Sequence, residues 1–440
     1  MMMKPKEPVR VALIGCGHRS NTIYKPLFAG LKPWMELVAV CDPVKEHADD
    51  YAADFENVRV CYDIQSLVAG GDFEAALVVA PIPLHHAYSV YLSSHKIHNL
   101  IETSWCNTLS QARDMIAAAK KNDVYTRVAE NFYHYPIDRF AQTLRGSGYI
   151  GDIKRIFSYN DHTGYHNNSR WLVFSGETPL WINAIEHAMP TMEYYQTKER
   201  YYNKEVFRGR YIQFPGGLMV VDQAANIKGQ LGRQVRPGFT EWHGSCGTLA
   251  QRGERHAAEP HWIYDNNGRA ERGFGVHSEW VAEIRKCDDG GKNIFYEEKK
   301  PADANIISKV ERYYLPDGYY AGVRACIPGG EINYVNPVRI GARSRHYFPE
   351  YGVAVASHMI DFALQVRGLK QSEFDEQGAL MSMMMEVGAR ESILQNGSQI
   401  ALPLTGELES DRIMEENLRK QFGVDPLDVE AMMSYKYSKP

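Results

Sequence analysis

The sequence predicts two domains of different class: an α/β domain built on a doubly wound parallel sheet, followed by an α+β domain built on a mostly antiparallel sheet. Three observations carry this. Up to about residue 130 short apolar runs alternate with helical patterns, as in a parallel sheet covered on both faces. The first of these runs breaks into a glycine-spaced turn, Gly15-Cys16-Gly17-His18-Arg19-Ser20, that opens a helix. From Asp152 onward strand-like segments follow one another at shorter spacing, the texture of an antiparallel sheet.

In chain order, strands are expected over 9–14, 35–41, 58–61, 75–79 and 97–101, with helices over 19–30, 44–54, 84–94 and 109–121. Ala75-Ala76-Leu77-Val78-Val79 is apolar throughout, which fits a strand buried on both faces. The first domain is expected to cover 1–131 and the second 132–440. Strands are expected over 152–159 and 218–221, and a helix from about 181 to 195. The polar, Gly-rich stretch 252–300 reads as long loops or an added hairpin. Helices over 353–367 and 375–395 close the domain, and the methionines at 381 and 383–385 read as adaptable core. The tail after Pro403 has helical stretches without legible chemistry.

Composition narrows the function classes. With 44% hydrophobic and 23% charged residues the chain is an ordinary globular protein, long enough for a large core. A net charge of -5 without a basic cluster argues against a nucleic-acid partner. No apolar run reaches bilayer length, which argues against a membrane partner, and the polar start feeds directly into the first strand, so the cytoplasm is expected. The seven cysteines (Cys16, Cys41, Cys61, Cys106, Cys246, Cys287, Cys326) are scattered without a C-x-x-C pair and read as reduced thiols. No metal site is expected, because the His85-His86 and His162/His166 pairs lack an H-E-x-x-H frame or a cysteine partner.

The glycine turn reads as a phosphate cradle. Gly15 can adopt a backbone shape closed to other residues, Gly17 leaves room for a pyrophosphate, and the helix that follows points free N–H groups at the anion. Ser20 stands where the third glycine of G-x-G-x-x-G would be. The second apolar run ends on Asp42, about 20 residues on, where an acid binds the adenosine ribose hydroxyls of a Rossmann-bound dinucleotide. A carboxylate there favours NAD over NADP, since it repels a 2′-phosphate, whereas Arg19 can reach a phosphate of either.

Further motifs resemble the glucose-fructose oxidoreductase, inositol dehydrogenase and rhizopine-catabolism (Gfo/Idh/MocA) family of NAD(P)-dependent oxidoreductases, across most of both domains. Ala80-Pro81-Ile82-Pro83-Leu84-His85 resembles its T-P-x-x-x-H turn, and Glu102 falls at the Glu of its E-K-P motif. Asn131, Pro136 and residues 148–152 resemble its link into the second domain. Asn183-Ala184-Ile185-Glu186-His187 stands in for its D-x-G-x-H, and Asn336-Pro337 with 352–368 for its closing helix. Two residues depart from the pattern. Thr103 replaces the lysine of E-K-P and cannot hold a charge, and Asn183 replaces the aspartate and cannot accept a proton.

The resemblance implies a cofactor site of Gly15, Gly17, His18, Arg19, Ser20, Asp42, Ala80, Pro81, His85, Glu102, Thr103 and Asn131. It implies His187 as general base, with Asn183 beside it. Tyr133 reads either as a partner for a sugar oxygen or as an aromatic packed at the domain seam. His166, Arg170 and Trp171 fall where the family's substrate loops lie, with Trp171 stacking on the apolar face of a sugar and Arg170 binding hydroxyls or an acidic group; a solvated loop anchored by one Trp fits the same residues. The implied activity is NAD-dependent oxidation or reduction at a hydroxyl of a sugar, cyclitol or derivative, in a homodimer or homotetramer paired through the open face of the second sheet. One alternative is an NAD-dependent glycoside-cleaving enzyme that oxidises C3, eliminates the aglycone and returns the hydride. Another is a non-catalytic dinucleotide-binding protein.

Overall fold

Six short strands set the position of the site. They are β1 (Val9–Ile14), β2 (Met35–Cys41), β3 (Arg59–Cys61), β4 (Ala75–Val78), β5 (His98–Ile101) and β6 (Thr126–Val128), and they pair in parallel in the order β3-β2-β1-β4-β5-β6. The order reverses at β1 and β4, so the loops leaving their carboxyl ends diverge and leave between them the ligand-binding switch point of this fold class. The computed structural model describes residues 3–160, 164–197, 200–225, 239–252, 261–264, 270–273, 281–286, 306–338 and 349–435. Helices α1 (Phe28–Leu31), α2 (Lys45–Ala52), α3 (Ile64–Ala69), α4 (His85–Ser94) and α5 (Leu109–Lys121) complete the alternation.

The helix expected over 19–30 is not regular. The Lys25 N–H bonds back to the Ser20 carbonyl, one residue farther than an α-helix allows, and Lys25–Leu27 then tighten into a 3-10 turn before α1. Pro26 has no N–H to give to an α-helical ladder, which accounts for the break.

After α6 (Pro136–Ser147) the chain builds an eleven-stranded sheet. Its members are β7 (Ile153–Asn160), β8 (Trp181–Thr197), β9 (Arg200–Gln213), β10 (Met219–Ala225), β11 (Phe239–Gly244), β12 (Gly247–Arg252), β15 (Val281–Lys286), β16 (Ile306–Tyr314), β17 (Tyr320–Ile327), β18 (Gly330–Val335) and β19 (Ile400–Ala401). The order is β18-β17-β16-β15-β12-β11-β7-β10-β9-β8-β19, and only β7 and β10 run parallel. Strands β13 (His261–Tyr264) and β14 (Ala270–Gly273) pair with each other as a separate hairpin inside the stretch read as loops or a hairpin; the remainder of 253–300, β15 excepted, lies outside the described residues.

Two expectations in this domain are corrected. Residues 181–195 are not helix but the long strand β8, paired with β9 through most of its length. Burial alternates there, with Ile182 and Ala184 buried and Ile185 exposed, and the partner strand decides the conformation over local propensity. Conversely, the residues expected in a substrate loop form α7 (Tyr165–Ser175), ended by Gly176 in the left-handed conformation at φ 70°.

Helices α8 (Pro349–Val366) and α9 (Glu376–Leu394) close the domain, α9 burying Met384 and Met385. The tail forms α10 (Glu409–Phe422) and α11 (Val429–Ser434) and returns to the first domain. Leu418, Phe422 and Met432 pack on Leu84 and Ala87 of the α4 region, and Asp411 Oδ2 accepts the Leu109 N–H at 3.0 Å. Among the described residues no helix is long and apolar enough to cross a membrane.

Candidate active site

The turn after β1 has the shape its glycines predict. Gly15 sits at φ +96°, and a Cβ there would lie 2.5 Å from the Val79 carbonyl oxygen, so the β1 and β4 turns can approach only because the residue is glycine. Nothing lies within 4 Å of the corresponding point at Gly17, which leaves open space there. The first helical hydrogen bond runs from the Asn21 N–H to the Gly17 carbonyl at 3.1 Å, so the amides of His18, Arg19 and Ser20 precede the ladder. Buried Ser20 does what a third glycine cannot, since its hydroxyl donates to the Gly15 carbonyl and pins the turn. Asp42 follows β2 and accepts the Cys16 N–H at 2.8 Å and the Val44 N–H at 2.9 Å, spanning the cradle from below. Burial, with the Asp42 charge beside it, pushes the Cys16 thiol up to about 12, so it stays protonated.

The turn after β4 and the one after β5 are tied by a histidine. His85 is wholly buried, with Nε2 2.8 Å from the Ala80 carbonyl and Nδ1 2.8 Å from the Ser104 carbonyl. It holds the Ala80-Pro81 turn against residues 102–104, while burial lowers its pKa from the ordinary value. Glu102 lies at the carboxyl end of β5 and gathers donors: Arg19 Nε and the Tyr24 hydroxyl (3.1 Å) on one oxygen, the Thr103 N–H and hydroxyl on the other. Burial pushes the Glu102 pKa up, but Arg19 and Thr103 outweigh it and hold the carboxyl below its usual range. Burial likewise opposes the Arg19 charge, and Tyr351 and Glu102 overcome it. Thus where the lysine of E-K-P is missing, the cation at this edge comes from the glycine turn.

A second carboxylate stands at the end of β6. Glu130 is buried, with Oε1 accepting the Asn131 N–H at 2.9 Å and the Phe132 N–H at 3.0 Å, and Oε2 2.8 Å from Nδ1 of His166. His166 lies in the first turn of α7, its ring stacked on Phe132 at 4.4 Å and 11°. Phe132 meets Tyr135, Tyr135 meets Tyr351, and Tyr351 faces Arg19, so one chain of contacts joins the β6 end to the glycine turn. Burial raises the Tyr351 hydroxyl to about 12. The Asn131 side-chain oxygen is buried without a hydrogen-bond partner among the described residues.

The other expected site residues lie elsewhere. Arg170 and Trp171 are fully buried on the sheet-facing side of α7: Arg170 donates to Asp138 at 2.7 Å and to Thr240 at 3.2 Å, and Trp171 Nε1 to Asp222 at 3.2 Å. Both are framework, not substrate loop, because they are fully buried and donate to Asp138, Ser158, Asn167, Thr240 and Asp222 inside the domain. Tyr133 is buried at the seam with its hydroxyl 3.2 Å from His358 Nδ1 of α8, the packed-aromatic alternative. Asn183 donates to the Gly397 carbonyl, and His187, two rungs farther along β8, is exposed. Ile182 and Ala184 turn toward α9, so Asn183 and His187 occupy the opposite, open face of the sheet. A G-x-H spacing also occurs at Gly164-Tyr165-His166, at the start of α7. Glu130, Tyr24 and Tyr351 were missed by sequence reasoning. Only Glu130, adjacent to Asn131, carried a local signal.

Residues 9–130 match the family described as GFO_IDH_MocA, an oxidoreductase family with an NAD-binding Rossmann fold. The match covers the first domain, which is similar to the NAD-binding domain of that family. Among curated proteins the chain is 26% identical over 185 residues (41% of this chain, 51% of the relative) to the uncharacterized oxidoreductase YdgJ of Escherichia coli. It is 29% identical over 152 residues (33% of this chain, 41% of the relative) to D-glucoside 3-dehydrogenase of Escherichia coli. The chain thus spans about half the length, or less, of the curated relatives it matches. An oxidoreductase from Agrobacterium radiobacter, solved with NAD+, L-tartaric acid and magnesium, superposes with TM-score 0.61 at 12% identity, covering 89% of this chain and 98% of that one. That likeness establishes the fold across both domains.

The residues present at the cradle fit a nicotinamide dinucleotide. The opening at Gly17 accommodates a pyrophosphate against main-chain amides, Asp42 retains acceptor capacity for ribose hydroxyls, and the unpartnered Asn131 oxygen offers an acceptor to an amide N–H.

Proposed function

We propose that this protein is an NAD-dependent oxidoreductase that transfers a hydride between the nicotinamide and a hydroxyl-bearing carbon of a sugar, cyclitol or derivative, with His166 as the general base. The observation that carries the reading is the His166–Glu130 pair at the carboxyl end of β6, in the same sheet edge as the Gly15–Asp42 cradle. When bound, the nicotinamide supplies a two-electron hydride acceptor.

The protein does the rest. Backbone amides of the glycine turn hold the pyrophosphate, and Asp42 takes the adenosine ribose and rejects a 2′-phosphate by charge. His166 takes the substrate O–H proton on Nε2 as the C–H bond yields its hydride, so the alcohol becomes a carbonyl with charge and electrons balanced. Arg19, with its charge held at this edge by Glu102 and Tyr351, stabilises negative charge that develops nearby. The family resemblance and the relative acting as a D-glucoside 3-dehydrogenase support a sugar-like substrate. The test is to heat-denature the purified protein, identify any released nucleotide, and then screen sugars and cyclitols for NADH formed mole for mole with product. Binding of neither NAD nor NADP removes the reading.

A second reading, glycoside cleavage with retained NAD, draws on one observation: Thr103 occupies the lysine position and uses its hydroxyl on Glu102. In that cycle C3 is oxidised, the C2 proton leaves, the aglycone departs with its bonding electrons, water adds, and the hydride returns to C3. Many bonds broken per bound NAD, with solvent deuterium entering C2, selects it over the first.

A further inference from the structure

We propose that Glu130 is a positioning residue that fixes the tautomer of His166, forcing the proton onto Nδ1 and leaving Nε2 as the proton acceptor. The inference rests on the assignment of His166 as base, and it concerns a residue that neither the motifs nor the family resemblance singled out.

The argument is one of donors and acceptors. A carboxylate only accepts, so the nitrogen 2.8 Å from Oε2 is the one that carries hydrogen, and a neutral ring has a single N–H. The other Glu130 oxygen is fixed by the Asn131 and Phe132 amides, which deny the carboxylate any rotation. Phe132, whose own N–H is one of those two, stacks on the imidazole nearly parallel to it at 11°. The residue that orients the carboxylate is therefore the residue that orients the ring. Both partners are almost fully buried, so water does not compete for the bond. A histidine arranged this way has one free choice removed, and a base with the wrong tautomer presents an N–H where a lone pair is required.

Glu130→Gln isolates the effect. The amide oxygen can keep both backbone N–H bonds at the Oε1 position, and the NH2 group is then left facing Nδ1. There it can only donate, so the ring must flip its proton to Nε2. In protein labelled with 15N-histidine, the long-range 1H-15N spectrum of the whole chain, assigned with Asn as a His166 replacement, should show His166 protonated on Nδ1. In Glu130→Gln it should show the Nε2–H tautomer, with unchanged circular dichroism and unchanged NAD affinity. Under turnover that variant should lose about 100-fold in kcat at nearly constant KM, and Glu130→Asp should recover part of the loss. An Nε2–H tautomer in the native protein, or an Nδ1–H tautomer that persists in Glu130→Gln, overturns the proposal. If His166→Asn keeps full turnover while the tautomer still follows residue 130, the assignment of the base fails and the orienting role of Glu130 stands.

Discussion

Residues 130–135 feed two clusters of histidine and carboxylate that behave differently. Toward the cradle, Glu130 grips His166 at 2.8 Å, with the carboxylate locked by two backbone amides. Toward the seam, His134 stands 3.5 Å from Asp361, whose two oxygens are already taken by Lys370 at 2.8 and 2.9 Å, and Tyr133 meets His358 at 3.2 Å. Burial drives the His134 pKa well below its usual value and brings His358 down to about 3. The first cluster gives its histidine a dedicated acceptor at a ligand edge, and the second denies charge to both of its histidines inside the protein. The two clusters differ in the partner each histidine is given: a carboxylate 2.8 Å from His166, and at His134 one already bound to Lys370.

The sharpest way to break this contrast is to remove each side in turn. His166→Ala should lower kcat by about 10³-fold, within the range for a general base, while NAD binding measured by calorimetry stays intact. Comparable turnover would remove His166 from the chemistry. Arg170→Ala tests the neighbouring framework: it leaves Asp138 buried without its cation and should cost about 3–5 kcal/mol of stability in urea titrations, with soluble yield falling before KM changes. A stable variant with a raised KM would restore the substrate role that the sequence implied.

The seam predicts a pH dependence of intermediate size. The His358 pKa is lower folded than unfolded, so the unfolded chain binds the extra proton first, and stability falls as pH drops below about 6.5. Between pH 6.5 and 5 this one residue should account for about 2 kcal/mol, and His358→Gln should flatten that part of the urea midpoint curve. A slope unchanged by the substitution would show that the seam histidines are not what acid attacks. Next in size, Asp42→Ala should weaken NAD binding by about tenfold, with a stability loss near 1 kcal/mol from the two amides it strands. Last, His187→Ala on the exposed strand face should leave NAD binding within error and stability within about 0.5 kcal/mol.

How much of this could be read beforehand follows from distance along the chain. The cradle was legible because Gly15, Gly17 and the start of the helix are neighbours, and Asp42 lies one strand away. The parallel sheet was legible because its apolar runs alternate with helices. The other half of the site was not, since Glu102 meets Arg19 across 83 positions and His166 meets Glu130 across 36. The strand β8 misled because Ala184, Glu186 and Ala188 suit a helix locally, and only pairing with β9 decides otherwise. That error carried the search for a base to residue 187. The glycine that should precede it by two positions was present at Gly164 and absent at Ile185.

The tail adds a constraint of timing. Ribosomes deliver the chain from its amino end, and the patch around Leu84 and Ala87 is sealed by Leu418, Phe422 and Met432, some three hundred residues downstream. At 5–20 residues per second, the nascent first domain waits tens of seconds with that patch uncovered and the start of α5 without the carboxylate of Asp411. Its maturation is therefore tied to synthesis of residues 409–435, and a ribosome stalled before residue 409 holds a nucleotide-binding domain that still exposes a sticky flank.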